Sequence, residues 1–188
     1  MMLDGLEDAY EPGRSMGTFG EDCAAKYSFT RQQQDAFATT SVQRAKAATA
    51  SGAFAAEITP VTVKTRAGEV VVSVDEGPGK VKLDKIPTLK PAFKKDGTIT
   101  AASSSSINDG AAALVLMRQS TADKLGCKPL ARIVAAATSG VDPRTMGIGP
   151  VPAIRLLLEQ TGLKTEDIGL IEINEAFAGQ FIACEREL

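Results

Sequence analysis

Two hydrophobic periods divide this chain. Over residues 30–51 the apolar side chains Phe37, Ala38, Val42, Ala45 and Ala48 recur near a helical period, with Arg31, Gln34, Arg44 and Lys46 largely off that stripe. Thr30 and Gln33 stand at capping-box spacing and Gly52 follows as a C′ residue, so the pattern predicts one long helix explained by packing alone. Shorter helices are predicted over 21–27, 119–125 (closed by Gly126), 151–161 (Pro152 in the first turn, Gly162 after the end) and 176–186. Residues 1–10 read as a short helical turn. β-Branched runs at 58–63 and 70–74 flank Arg66-Ala67-Gly68-Glu69 and predict a hairpin or strand pair. Residues 111–117, 130–137 and 168–173 are short continuous apolar runs, the pattern of buried strands. Strand, helix and strand over 130–173 predict a βαβ unit with parallel strands.

Between these elements the chain is punctuated. Residues 11–17 and the Gly/Pro-rich 139–150 read as loops. Residues 75–86, with Pro78 between two glycines, read as an exposed and mobile excursion. Its Lys80, Lys82 and Lys85 can meet a phosphate, although a solvated surface explains three lysines mixed with acids more simply. Leu89 to Phe93 is a short apolar patch in an extended, Pro-containing stretch, and Lys95-Asp96-Gly97 is a turn. Ser103 to Ser106 has linker composition. The strand-like run that follows argues instead for an ordered loop presenting backbone N–H groups and hydroxyls. Asn174 and Glu175 come directly after the last apolar run, where open α/β sheets place their ligands. Taken alone, Asn174 reads as a turn residue and helix N-cap.

Composition narrows the classes. With 44% hydrophobic and 23% charged residues the chain is an ordinary globular one. A net charge of −2 gives no case for nucleic acid or an anionic membrane, and no apolar run is long enough to span a bilayer. The first residues lack the pattern of a signal peptide. Cys23, Cys127 and Cys184 are widely spaced, which fits reduced thiols in a cytoplasmic protein and offers no zinc pattern. No histidine is present, which removes Ser-His and Cys-His pairs and the commonest metal ligand. No internal repeat is visible.

Separated segments resemble one family. Met16-Gly17-Thr18, followed by Tyr27, Arg31, Gln34-Asp35 and Phe37-Ala38, is similar to the opening of the loop-domain helix of thiolases of the acetyl-CoA acetyltransferase type. Ser51 to Val61, Leu89 to Phe93 through Asn108-Asp109-Gly110-Ala111-Ala112-Ala113, Met146 to Ala153, and Asn174-Glu175-Ala176-Phe177-Ala178 resemble later parts of the same family in the same order. The resemblance implies an α/β, thiolase-like fold: a loop domain plus parts of two five-layered αβαβα core halves. Residues 1–102 would be the CoA-binding loop domain. Residues 103–128 would be the last strand and helix of the N-terminal core, and 129–188 the βαβα start of the C-terminal core. A thiolase is about twice this length, and its nucleophilic cysteine, Gly-His-Pro histidine and second cysteine have no match here. The buried strands would then lack neighbours, leaving edges and apolar patches that either the rest of a thiolase covers or association of the segment covers.

The function implied is the reversible Claisen condensation of two acetyl-CoA to acetoacetyl-CoA and CoA, with this chain inactive by itself. Asn174 matches the family asparagine that holds a water in an oxyanion hole. By the same resemblance Ser105 contacts the pantetheine arm, and Ala101, Leu89 and Phe93 line its tunnel. Met16, Met146, Ala176 and Phe177 would line the pantetheine or acyl end, where simple core packing is the alternative for each apolar residue. Ser15, where relatives often carry histidine, and Ser103 and Ser106, in place of Asn and Gly, depart from the pattern and bear on CoA contacts and acyl preference. Coenzyme A thioesters enter as substrates, with no separate cofactor and no metal. A homotetramer is expected. Two other readings stay open: a longer-chain 3-ketoacyl-CoA thiolase and a non-catalytic acyl-CoA-binding module.

Overall fold

Three helices gather around one small core. In the computed structural model, which describes residues 5–188, α1 is Met16–Lys26 and α2 is Arg31–Ser51. The hairpin strands are β1 (Val61–Thr65) and β2 (Gly68–Val72), followed by α3 (Gly77–Lys80), α4 (Gln119–Leu125), α5 (Pro150–Thr161) and α6 (Ala178–Glu187). The first four residues of the helical turn expected over 1–10 lie outside the described residues.

Helix α2 forms as its caps predict. Thr30 Oγ1 accepts from the Gln33 backbone N–H at 3.2 Å, and Gln33 Oε1 accepts from the Thr30 N–H at 2.9 Å. Gly52, at φ 70°, ends the helix in the left-handed region. The buried side is more polar than the apolar stripe foretold: Gln34 and Asp35 are buried beside Ala38. Each has found a partner. The Arg31 guanidinium pairs with Asp35 at 2.8 Å, and Gln34 Nε2 donates to Thr98 Oγ1 at 2.8 Å. Arg31 also donates to the carbonyls of Ile86 and Leu89, tying α2 to the 3₁₀ segment Leu83–Thr88. The stretch read as a mobile excursion is therefore anchored, with Ile86 buried under α2. Its lysines do not converge: Lys80 pairs with Glu76 and Lys85 with Asp84, both on the surface.

Helix α1 begins at Met16, earlier than the predicted Glu21, inside the stretch read as loop. Two glycines explain the difference. Gly17 and Gly20 lie against the rings of Phe93 and Phe177 and the side chain of Ile99, so this helix is set by close packing rather than by a local cap. Glu21, buried on α1, accepts from the backbone N–H groups of Thr98 and Ile99 and from the Thr98 hydroxyl. Helix α1 packs on α6 and on the 3₁₀ segment Pro143–Ile148, and α2 packs on α6. Cys23, Ala24, Phe29 and Ala183 make the shared core, with Tyr27, Ile148 and Ile182 at its edge.

The hairpin pairs antiparallel with Val63 opposite Val70 and Thr65 opposite Gly68, leaving Arg66-Ala67 as a two-residue turn. Its valines are exposed on both faces. The predicted strands at 111–117, 130–137 and 168–173 carry no ladder, and the parallel βαβ pairing is not made. A strand exists only through a neighbour that takes up its N–H and C=O groups. Here β1 and β2 form the single sheet among the described residues. Leu114 and Val115 are consequently 86% and 87% exposed. No helix among the described residues is long and apolar enough to cross a membrane.

Candidate functional site

The serine stretch is folded by its own hydroxyls. Ser103 Oγ accepts from the Thr100 N–H at 2.9 Å, and Ser104 Oγ donates to the Thr100 carbonyl at 2.7 Å. These local bonds close a tight turn and leave the next backbone groups pointing outward. Ser105 N–H then donates to the Ala176 carbonyl, and Ala178 N–H to the Ser103 carbonyl, each at 2.9 Å. Ser104 and Phe177 thus form an antiparallel bridge across the start of α6. The segment is an ordered loop, not a linker, and it clamps the Asn174–Ala178 stretch. Ser103, one of the departures from the family pattern, spends its hydroxyl inside this turn.

Phe177 is the N-cap residue of α6 in extended conformation. Its ring meets Phe93 edge-to-face, with centroids 5.8 Å apart at 87°. That arrangement suits two ring quadrupoles and locks both side chains. A cleft of about 270 Å³ opens beside them, walled by Phe19, Met146, Ile173, Asn174, Ala176, Phe177 and Gln180. A neighbouring cleft of about 280 Å³, walled by Ala137, Ala153, Ile154 and Leu157, shares Pro150, Ile173 and Asn174 with the first. Asn174 therefore stands on the ridge between two mostly apolar hollows, with its side chain exposed.

The structure brings together part of the predicted set. Asn174, Met146, Ala176 and Phe177 share the first cleft, Phe93 joins through its ring contact, and Ser105 through its backbone bond. Leu89, Ala101 and Met16 do not line either cleft. Leu89 is half-buried, with its carbonyl held by Arg31; Ala101 is exposed on the Thr100 turn; Met16 is half-buried at the start of α1. Gln180 was not foreseen. It follows Phe177 by three positions and precedes Cys184 by four, the spacing of an inward helix face, which is the signal that could have found it. Its Oε1, like that of Gln34, is buried without a hydrogen-bond partner. Gly147 faces Gln180 so closely that an added Cβ would lie 2.9 Å from its Cγ.

Nucleophilic chemistry is not supplied at this cleft. Cys23 and Cys184 are buried, and burial pushes both thiols up, away from the reactive thiolate. Among the described residues no group of carboxylates or thiols is arranged to hold a metal. What the ridge offers is an uncharged amide between apolar walls. Such a group positions a water or an oxyanion and moves no proton itself.

Comparison with known proteins gives a consistent result. Residues 1–120 match the family description "Thiolase, N-terminal domain" and residues 127–188 match "Thiolase, C-terminal domain". An acetyl-CoA acetyltransferase of Rhizobium meliloti (strain 1021) is 50% identical over all of this chain and 48% of its own length. One from Paracoccus denitrificans is 47% identical over the same shares. The chain spans about half the length of the curated relatives it matches. Among solved structures, a Bacillus anthracis acetyl-CoA acetyltransferase superposes with a TM-score of 0.94 at 46% identity, over 99% of this chain and 47% of that one. Human mitochondrial 3-ketoacyl-CoA thiolase gives 0.90 at 42% identity, over 98% and 47%. The superpositions take in nearly the whole chain, so the α/β thiolase fold holds even where ladder bonds are missing.

Proposed function

The chain belongs to the thiolase family, and from that premise we propose that it forms the central segment of an acetyl-CoA acetyltransferase. The reaction is the reversible Claisen condensation of two acetyl-CoA to acetoacetyl-CoA and CoA. Residues 1–102 act as the loop domain, 103–128 close the first core half, and 129–188 open the second. One observation carries the reading: the serine turn clamps the Asn174–Ala178 stretch so that Asn174, Met146 and Phe177 meet on one apolar cleft.

In this reading Asn174 holds a water that stabilises the developing oxyanion, and its amide suits the task because it does not titrate. Met146, Ala176, Phe177 and Met16 take the acyl or pantetheine end. Phe93, Leu89, Ala101 and Ser105 take the pantetheine arm. Apolar, adaptable walls fit a long flexible ligand. No residue of this chain matches the family's nucleophilic cysteine, its histidine or its second cysteine, so turnover belongs to a longer chain that carries them, and this segment alone is inactive. No separate cofactor or metal enters; coenzyme A thioesters are the substrates. A cytoplasmic homotetramer in fatty acid metabolism completes the reading.

The test is Asn174→Ala in the longer chain, assayed by acetoacetyl-CoA thiolysis. Turnover should fall by about 10²-fold, the scale of losing one oxyanion donor, with folding unchanged. Unaltered turnover removes Asn174 from the site. The likeness to human 3-ketoacyl-CoA thiolase supports a second reading, activity on longer acyl chains. Comparing thiolysis of acetoacetyl-CoA with that of a long-chain 3-ketoacyl-CoA separates the two.

A further inference from the structure

Residues 169–175, which end in Asn174 and Glu175, make no backbone hydrogen bond to the rest of the described chain. One polar tether reaches this stretch. The Ser41 hydroxyl, on α2, donates to Glu175 Oε2 at 2.6 Å, across 134 residues of sequence. It is a charge-assisted hydroxyl-to-carboxylate bond at a solvent-exposed position. The platform behind it is fixed. On the same face of α2, Phe37 packs on Phe181 of α6 with ring centroids 4.8 Å apart. One turn earlier, Gln34 Oε1 lies 3.3 Å from where a Cβ on Gly179 would stand. Residues 34, 37 and 41 thus run along α6 and end at Glu175, the residue next to the ridge asparagine.

We propose that Ser41 is a positioning residue for Asn174, acting through the carboxylate of Glu175. This rests on the oxyanion role given to Asn174. Fixing Glu175 fixes the peptide that joins it to Asn174, and with it the direction of the amide at the cleft. A displacement of about an ångström at such a group is costly to rate while leaving binding of the long thioester arm largely intact.

The test has two readouts. In the 188-residue chain, backbone NMR order parameters at residues 173–176, whose amides donate to no backbone acceptor, should fall from the rigid range toward about 0.6 in Ser41→Ala and stay near the wild-type value in Ser41→Thr, which keeps the hydroxyl. In the longer chain that supplies nucleophile and base, Ser41→Ala and Glu175→Gln should lower kcat about tenfold with KM within about twofold, and Ser41→Thr should recover most of the rate. Alanine is the better helix former, so Ser41→Ala is not expected to lose α2. Unchanged order parameters, or an unchanged kcat where Asn174→Ala still lowers turnover, overturn the role of Ser41. If Asn174→Ala itself leaves turnover intact, the oxyanion reading falls and this proposal falls with it.

Discussion

Tyr27 shows how one side chain couples the core to pH. Its ring stacks on Phe29 with centroids 5.8 Å apart, and its hydroxyl donates to Glu187 Oε1 at 3.0 Å. Burial first, and then the adjacent Glu187 carboxylate, push the phenol from 10.0 up to about 12. The same hydrogen bond, with Arg155 beside it, holds Glu187 below the usual carboxylate range. The raised phenol favours its protonated form in the folded chain. The stability it contributes is complete below pH 10, is lost as pH rises, and is gone above about 12. Urea unfolding of the wild type should therefore weaken across that window, and Tyr27→Phe should flatten the slope. An equal slope in the variant would assign the alkaline loss to other groups.

At the scale of elements, α1 depends on what it lacks. A Cβ on Gly17 would lie 2.1 Å from Cγ of Phe93, the ring that rests on Phe177. Alanine gains roughly 1 kcal/mol over glycine in helix propensity. Overpacking of this kind costs about 1–3 kcal/mol, so the net effect of Gly17→Ala is destabilising. Adding Phe93→Ala should remove the clash and make the second substitution less costly than it is in the wild-type background. Urea unfolding of the two single variants and the double variant measures this coupling; additive effects would refute the contact. The contrast between α1 and α2 shows what the sequence could reveal. Helix α2 announced itself through Thr30, Gln33 and Gly52, which act within a few residues, and so did the hairpin through its β-branched runs on either side of Arg66 to Glu69, although the two-residue turn came only from the pairing of Thr65 with Gly68. The early start of α1 was invisible because its partners, Phe93, Ile99 and Phe177, are remote in sequence. Burial of Gln34 and Glu21 was hidden for the same reason, since their partners at Thr98 and Ile99 lie 64 to 78 residues away. At the site, the family likeness pointed to Asn174, Met146 and Phe177, but only the packing of α6 revealed Gln180 and Ser41.

For the whole molecule the decisive feature is the surface that remains uncovered. Segments 111–117, 130–137 and 168–173 expose Leu114, Val115, Leu116, Ile133, Val134, Leu170 and Ile171, together with backbone groups that no ladder satisfies. Apolar side chains beside unpaired strand edges form a template for another chain. Burying a single Leu or Val contributes about 1.5–3 kcal/mol, whereas bringing two chains together costs about 4–15 kcal/mol. One such side chain alone is thus too weak to hold a dimer, while the seven named here together reach about 10–21 kcal/mol, the size of the cost or above it. A second copy that pairs with one strand edge leaves the edges of the other segments open, so the contacts are not confined to one symmetric pair. Association should accordingly grow with concentration instead of stopping at a dimer. Sedimentation velocity on the 19.7 kDa chain should show a weight-average size that rises with loading. Combining Val115→Lys, Val134→Lys and Ile171→Lys should shift the distribution to monomer without changing the far-UV spectrum. The packed centre of α1, α2 and α6 involves none of the three positions. A chain that stays monomeric at every concentration would mean that these segments cover one another in solution, contrary to their exposure here.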